Sequence, residues 1–449
     1  MKINKFTAAL VALGVVSLSS AYASQVNTPV VYLTGSTAAR GNIYNAMIAS
    51  GQIFDAGSSG KIVSAAPNNA AGSSYIVFEG LINGTLVDID CSWTGSEAGI
   101  AAVANQPLQQ NVNGGTYNLP GVPPLFLTQS SGYAVGSQTL LSSIPGAPAT
   151  PDLSMADTSQ AVSQTPESSF PLTDYGRVGI VTFTWMKGYQ ATPDATYSNL
   201  VNVTTAQANQ NLLTGDLYNA NNYTGVASDA AEGVAIDGRN FGSGTRANCL
   251  VNLQYGIHTS VNQYSFGADY PTANPGVLTF GDPANGGPNF NAGQSLVSIG
   301  NDGYDGGGGV GESLQVDGSG QGIVVIGYLG IGDAKNAHTP GAYVANKGGA
   351  AQYLSYNGVW ESDANIINGA YSYWGQEHVL GSIGQSSTSE AGQVAAHIVS
   401  GLAANLAAAG AGTATGDVRT NPAQSSLIPV ALMQVHRTTD GGFPAQGPF

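Results

Sequence analysis

Residues 233–246 read Gly-Val-Ala-Ile-Asp-Gly-Arg-Asn-Phe-Gly-Ser-Gly-Thr-Arg, and Ala-Asn-Cys-Leu-Val-Asn-Leu follows at 247–253. The apolar residues from Gly233 to Ile236 predict a strand, and residues 247–253 predict the first turns of a helix. The turn between them combines backbone N–H groups, two hydroxyls and Arg239, which are donors that suit an oxyanion at a helix N-terminus. A plain Gly/Ser turn that only caps the helix explains the same residues.

The same order of strand, hydroxyl turn and helix occurs twice nearer the N-terminus. Val30 to Leu33 predicts a short buried strand, and Gly35-Ser36-Thr37 follows it before a stretch with helical spacing. Leu86 to Ile89 predicts a second strand, followed by Thr94-Gly95-Ser96-Glu97 and a helix of small residues. This alternation predicts an α/β fold, with mixed sheets flanked by helices and ligand bound where strands end.

The first 23 residues predict a secretory signal peptide. They contain two lysines, an apolar stretch from about Ala8 to Leu18, and Ala21-Tyr22-Ala23 before Ser24. We expect cleavage after Ala23 and a periplasmic or secreted protein. No later apolar run reaches the ~18 residues that span a bilayer, so no membrane insertion is expected.

Charge argues against two classes of partner. The net charge is −15 and only 9% of residues are charged, which makes nucleic acid and anionic membranes unfavourable partners. An acidic protein still binds a small anion when it uses local dipoles and one or two well-placed arginines.

Cysteine and histidine usage predicts no metal site. The only two cysteines are Cys91 and Cys249; an oxidising compartment permits their pairing, but the sequence does not give their separation, so a disulfide stays open. The five histidines have no metal-ligand spacing. Asp302 and Asp305 supply only part of a calcium loop. We expect neither a metal nor a cofactor.

Four segments, taken in order along the chain, resemble the phosphate-binding protein of phosphate ABC transporters, in the periplasmic binding protein superfamily. They are Gly35-Ser36-Thr37-Ala38, Gly95-Ser96, Asp152 to Asp157, and Arg239 with Ser243-Gly244-Thr245. Three later segments are similar to structural landmarks of that family: Asn301-Asp302-Gly303, Ile326-Gly327-Tyr328 and Ile367-Asn368-Gly369-Ala370-Tyr371.

The resemblance implies a role for each matching residue in binding phosphate. The donors would be Ser36, Thr37, the backbone N–H of Ala38, Ser96, Arg239, Ser243, Gly244 and Thr245. Asp157 would be the acceptor, and a carboxylate among donors requires a ligand that still carries a proton. Phosphate meets this requirement at neutral pH and sulfate does not, because sulfate would leave a buried charge unpaired.

The sequence departs from the family pattern at Phe241, where the family commonly has an aspartate that holds the arginine. Arg239 is therefore expected to be less restrained. Arg40 or Arg246 could enter the cleft instead, and the alternative interpretation is that both are solvated surface arginines. Asp157 and Ser96 have a second interpretation as helix N-caps.

These observations together predict a two-domain periplasmic-binding-protein fold with ligand in the interdomain cleft. The predicted parts are a signal peptide at 1–23, domain I at 24–174 with a Pro/Gly-rich insertion at about 104–150, domain II at 175–342, and the rest of domain I at 343–449. Closure is expected at hinges near 172–178 and 335–350.

The predicted function is capture of inorganic phosphate by a monomer for uptake through an ABC permease. The alternative is an extracellular binding or adhesive module of the same fold that does not serve transport. An enzyme is not expected, because no nucleophile is placed with a general base.

Overall fold

The structure is a computed structural model that describes the chain with gaps. The described residues are 28–66, 73–106, 109–112, 115–118, 124–127, 139–140, 146–214, 218–266, 296–301, 303–343, 349–410, 427–438, 440–442 and 444–447. The expected signal peptide, Asp302 and much of the expected insertion lie outside these residues.

The strands are short except for one. In chain order they are β1 Val30–Gly35, β2 Lys61–Ala66, β3 Tyr75–Ile82, β4 Thr85–Ser92, β5 Gln109–Val112, β6 Gly115–Asn118, β7 Leu125–Leu127, β8 Thr139–Leu140, β9 Gly146–Pro148, β10 Leu153–Ala156, β11 Leu172–Lys187, β12 Asn202–Val203, β13 Tyr218–Asn219, β14 Gly233–Asp237, β15 Gln263–Phe266, β16 Leu296–Gly300, β17 Ile323–Gly330, β18 Gln352–Tyr356, β19 Trp374–Ser382, β20 Leu427–Ile428, β21 Val435–His436 and β22 Ala445–Gln446.

The helices lie between these strands. They are α1 Arg40–Ile48, α2 Ser96–Val103, α3 Ala195–Asn199, α4 Thr205–Thr214, α5 Asn221–Thr224, α6 Gly244–Asn252, α7 Gly307–Gln315, α8 Ile331–His338, α9 Asp363–Ile367 and α10 Glu390–Gly410, with 3₁₀ turns at Gln160–Val162, Ala227–Ala231 and Val430–Leu432.

Most strands of the described residues join one mixed sheet. Its order is β13-β14-β17-β11-β19-β10-β1-β4-β3-β2-β8, with β12, β18 and β20 attached beside β11 and β18. β1 lies between β4 and β10 and is parallel to both. β19, from the C-terminal third of the chain, is antiparallel to β10 on one side and to β11 on the other.

The long strand β11 links two regions of this sheet. Its first part pairs with β19, and its last residues pair with β17 and β18. Register shifts interrupt the β11–β19 ladder near Gly176, which has φ +138°. These irregularities lie in the stretch where the sequence places the first hinge. The domain boundaries themselves remain predictions.

Burial explains why these segments form sheet and helix. Every residue of β14 and β17 is buried, as expected for sheet strands that are covered on both faces. The 21-residue helix α10 packs Val394, Ile398 and Leu402 into the main core from positions four apart. The expected α/β class, with mixed sheet flanked by helices, is confirmed.

Candidate functional site

Three parallel strands end at one edge of the sheet and present polar residues there. Because β4, β1 and β10 run parallel side by side, their carboxyl ends lie together. The residues just beyond those ends are Ser96, Ser36 and Asp157, all of which are buried. The strand order therefore brings these three residues to the same end of the parallel strands.

The turn before α2 contacts both other turns of the site. Gly95 donates its backbone N–H to the carbonyl of Gly35 at 2.8 Å, and Ala98 donates to the carbonyl of Gly242 at 3.2 Å. Gly95 has φ +99°, and a Cβ there would lie 2.4 Å from the Gly242 oxygen. Only glycine accommodates both the backbone conformation and this close approach. The turn thereby holds the Arg239 segment against the carboxyl ends of β1 and β4.

Ser96 and Asp157 form a reciprocal pair. The Ser96 hydroxyl donates to Asp157 Oδ1 at 2.7 Å and accepts the backbone N–H of Asp157 at 3.1 Å. Burial raises the pKa of Asp157 to about 6, against the opposing effects of the Ser96 hydrogen bond and the Arg239 charge. Neither side chain caps a helix: Gly95 is the N-cap of α2, and Ser159 precedes the 3₁₀ turn after Asp157. The helix-cap interpretation of these two residues is therefore wrong.

The N-terminus of α6 lies directly against this pair. The helix begins at Gly244, three residues earlier than the sequence indicates, and Ser243 is its N-cap, accepting from the Arg246 N–H at 3.2 Å. A Cβ on Gly244 would lie 1.6 Å from Asp157 Oδ1 and 2.5 Å from Ser96 Oγ. The first turn of α6 therefore lies directly against a buried carboxyl, at the helix end where the dipole favours negative charge.

Arg239 is buried and firmly held, although Phe241 replaces the expected aspartate. Its Nε donates to the carbonyl of Tyr304 at 3.0 Å, one terminal nitrogen donates to the carbonyl of Asp305 at 2.6 Å, and the other donates to the Thr245 hydroxyl at 3.4 Å. Two backbone carbonyls thus provide the restraint that a carboxylate would give. The expectation of a less restrained Arg239 is wrong for this reason.

Arg246 points away from the pair. Its guanidinium donates to the backbone and side-chain oxygens of Asn301 at 2.7 and 2.6 Å and lies 4.3 Å from the centre of the Phe241 ring. It is 1% exposed, so its interpretation as a surface arginine is wrong. Phe241 therefore supports Arg246.

Arg40 is half-buried at the first position of α1. Burial lowers its pKa, and the charge of Asp333, in α8, acts in the opposite direction. Arg40 therefore lies where the N-terminal segment meets the middle of the chain, as its interpretation as a cleft residue requires.

Two of the later segments that resemble landmarks of the phosphate-binding family, those containing Tyr328 and Asn301, contact the two arginines. The Tyr328 hydroxyl accepts the backbone N–H of Arg239 at 3.2 Å and donates to Gln263 at 2.7 Å. Asn301 binds Arg246, as described above. Tyr328 and Asn301 thus hold the loop that carries Arg239 and the helix turn that carries Arg246.

The turn after β1 holds the remaining expected donors. Thr37 and Ala38 are half-buried, and Ser36 is fully buried. Ser36 Oγ donates to Oε2 of Glu377 at 3.0 Å and accepts from the Ala39 N–H at 3.4 Å. Glu377, on β19, was not identified from the sequence. The one signal for it there is that it is the single acidic residue in the run Tyr371 to Leu380.

Some expectations concern features away from this site. Cys91 and Cys249 are both buried with free thiols, so the open question of a disulfide is answered against pairing in this structure. Among the described residues, no group of three or more His, Cys, Asp or Glu side chains is placed to hold a metal ion. In that same part of the chain, no helix is both long enough and apolar enough to cross a membrane.

No protein-family model matches the chain, and no curated protein sequence is significantly similar to it. Solved structures with a similar arrangement include a putative phosphate ABC transporter substrate-binding protein with bound phosphate from Clostridium perfringens, at 13% identity, TM-score 0.41, covering 84% of this chain and 97% of that one. They also include an ABC-type phosphate transport receptor from Vibrio cholerae, at 9% identity and TM-score 0.35, covering 79% of this chain and 88% of that one.

A third similar structure is PstS from Borrelia burgdorferi, at 10% identity and TM-score 0.31, covering 82% of this chain and 92% of that one.

Proposed function

We propose that this protein binds inorganic phosphate between the Asp157 and Arg239 segments and delivers it to an ABC permease outside the cytoplasm. The residues of this proposed site are Ser36, Thr37, Ala38, Ser96, Asp157, Arg239, Ser243, Gly244 and Thr245. Ser36 and Ser96 donate their single hydroxyl protons to Glu377 and Asp157 and so position those carboxyls. The protein acts as a solute receptor, and its location follows from the expected signal peptide.

One observation carries the proposal: a buried carboxyl lies among hydrogen-bond donors. Asp157 is 2% exposed and contacts the Ser96 hydroxyl and the first turn of α6, and the Arg239 charge acts on it. An anion that binds these donors must also satisfy the Asp157 carboxylate, which only accepts hydrogen bonds. Phosphate offers a P–O–H for this purpose at neutral pH, whereas sulfate offers none.

The energetic consequence is selectivity against sulfate. Leaving a buried charged acceptor without a donor costs several kcal/mol, which corresponds to at least a hundredfold in affinity. Selectivity then comes from an unfavourable contact with the wrong anion and not only from favourable contacts with the right one.

Binding without catalysis fits the surroundings of the hydroxyls. Ser96 and Ser36 each donate to a carboxyl, and His378 pairs with Asp174 at 2.9 Å on the neighbouring strand. His378 therefore pairs with a carboxylate and not with either serine hydroxyl, so it is not placed as the imidazole base that activates a serine nucleophile.

Isothermal titration of the mature protein, stripped of bound anion, tests the proposal with phosphate and then sulfate at neutral pH. We expect tight binding of phosphate alone. In Asp157→Asn the amide donates to an unprotonated oxygen, so phosphate should bind more weakly and sulfate should gain measurable affinity. Asp317→Asn is the matched control, because Asp317 accepts the Ala191 N–H elsewhere. Absence of phosphate binding in the parent protein would refute the proposal.

A further inference from the structure

Glu377 is a second carboxyl at the same edge of the sheet. Ala156 at the end of β10 lies opposite His378 of the antiparallel strand β19. The next residue after Ala156, Asp157, therefore lies opposite the residue before His378, which is Glu377. Glu377 is 0% exposed. Its Oε2 accepts the Ser36 hydroxyl, and its Oε1 is buried with no hydrogen-bond partner among the described residues.

The charge balance requires Glu377 to be neutral when an anion binds. A divalent phosphate beside ionised Asp157 and ionised Glu377 would place four negative charges around Arg239 and one helix N-terminus. The Asp157 carboxylate and burial both raise the pKa of Glu377 well above its ordinary value. Desolvation and like charge favour the same protonated form.

The hydrogen bonds then locate the proton. Because Oε2 receives the Ser36 hydroxyl, the carboxyl proton belongs on Oε1. That O–H is buried and has no acceptor among the described residues. An unprotonated oxygen of a bound anion would satisfy it.

We propose that Glu377 is a neutral, proton-donating residue of the anion site and that, together with Asp157, it selects a tetrahedral dianion carrying one proton. This inference rests on the proposed phosphate function. Asp157 accepts the proton of the anion, and Glu377 donates to an oxygen that has none. No proton is transferred, so both carboxyl groups and the anion keep the protonation they have on entering the complex.

The charged and titratable groups around Glu377 belong to several elements. The Asp157 carboxylate faces it from β10; around Asp157 lie Glu97 of α2 and Arg239. Strand β11 contributes Asp174 and Arg177, which act at the adjacent His378, and α10 contributes His397, which binds the carbonyl of Ile53. Both variants of Glu377 remove its charge from beside Asp157, so comparing the two variants with each other leaves the donor as the difference between them.

Two substitutions test whether the Glu377 side chain donates a hydrogen bond to the anion. Glu377→Gln keeps an oxygen for Ser36 and an N–H₂ donor for the anion, whereas Glu377→Met has similar length and no donor. Titration with inorganic phosphate at pH 7 should give a Kd for the Gln variant within about threefold of the parent. The Kd of the Met variant should rise about 10- to 100-fold, as expected for loss of a hydrogen bond to a charged group.

The pH profile provides a second readout. As pH rises above the pKa of Glu377, the parent must rebind a proton to bind phosphate, so its Kd rises relative to that of the Gln variant by up to about tenfold per pH unit. Infrared difference spectra should show a protonated-carboxyl band that shifts on phosphate addition and is missing in Glu377→Gln. Glu79→Gln, which removes a buried carboxyl on β3, is the control that should retain this shifting band.

The outcomes are distinguishable. If the parent does not bind phosphate, both the proposed function and this inference fail. If the parent binds but Gln weakens binding as much as Met does, Glu377 acts as a carboxylate and the inference alone is refuted. Unchanged binding by folded Glu377→Met, checked by circular dichroism, also refutes it, because Glu377 would then not contact the anion.

Discussion

Gly244 occupies a position where the site has no room for a side chain. A Cβ there would overlap Asp157 Oδ1 at 1.6 Å, so Gly244→Ala must displace either the carboxyl or the first turn of α6. We expect phosphate affinity to fall more than tenfold and the free energy of unfolding to fall by about 1–3 kcal/mol, the range for overpacking. Titration calorimetry and urea unfolding measure the two effects.

Gly332→Ala is the matched control. Gly332 also lies in the first turn of a helix, α8, and a Cβ there meets nothing within 4 Å. The control should bind phosphate like the parent. Equal binding by both alanine variants would mean that the Gly244–Asp157 approach is not part of the anion site.

Glu97 should make stability depend on pH. Its buried carboxylate accepts from Thr158, Ser163 and the Gln164 N–H. Burial nevertheless raises its pKa from 4.5 to about 7. A raised pKa means that the folded state binds more protons than the unfolded state. Protonation of Glu97 therefore stabilises the fold fully below about pH 4.5, and this stabilisation is lost as the pH rises through about 7. The shift corresponds to about 3 kcal/mol.

Comparison with Glu97→Gln isolates this contribution. The free energy of unfolding of the parent, measured in urea and taken relative to that of the variant, should decline between pH 5 and 8. Glu167→Gln, at an exposed position, should leave the pH dependence as it is in the parent. Parallel profiles for the parent and Glu97→Gln would show that Glu97 is ionised in the folded protein throughout this range.

At the scale of elements, the N-terminus of α6 combines a structural and a binding role. Ser243 caps the helix through the Arg246 N–H, and its loss in Ser243→Ala should reduce the free energy of unfolding by about 1 kcal/mol. The same substitution should weaken phosphate binding, because it removes a proposed ligand hydroxyl and loosens the first turn of α6, which lies against Asp157. Chemical unfolding and calorimetry measure both quantities.

A second capped helix separates these roles. Ser362 caps α9 by accepting from the Asn365 N–H at 3.2 Å, the same distance and chemistry as in α6. Ser362→Ala should show a similar loss of stability with unchanged phosphate affinity. If both variants bind alike, the cap of α6 supports the fold only.

At the scale of the whole molecule, anion entry requires the contacting segments to separate. Gly244 touches Asp157 and Ser96 directly, and Gly242 contacts α2, so the loop bearing Arg239 must move relative to the ends of β4 and β10. We expect phosphate to shift the distance between the two sheet regions through bending in β11, near the irregular pairing at Gly176.

Fluorescence energy transfer measures this motion. Ser50→Cys and Leu213→Cys place dyes at exposed positions, one just after α1 and the other in α4, which packs against β14. The native Cys91 and Cys249 are buried and should not label. Phosphate should change the transfer efficiency, and sulfate should not. An efficiency unaffected by saturating phosphate would show that the anion enters without movement of the two regions.

The sequence by itself determined the local units and which polar residues follow them. Val30 to Leu33, Leu86 to Ile89 and Gly233 to Ile236 are short apolar runs. Each lies in a strand that is largely or fully buried and is followed by a hydroxyl or arginine turn. This is accessible from sequence because strand and helix periodicity, and the place where a strand ends, depend on neighbouring residues. That Ser36, Ser96 and Asp157 meet follows once β1, β4 and β10 are parallel.

Tertiary structure alone decided which distant groups hold those residues. Glu377 is 341 positions from Ser36, and it reaches the site because β19 inserts between β10 and β11. The carbonyls that hold Arg239 come from residues 65 and 66 positions away, and Asn301 draws Arg246 aside from 55 positions away. Such contacts depend on strand order and register, which local patterns of apolar and polar residues do not encode.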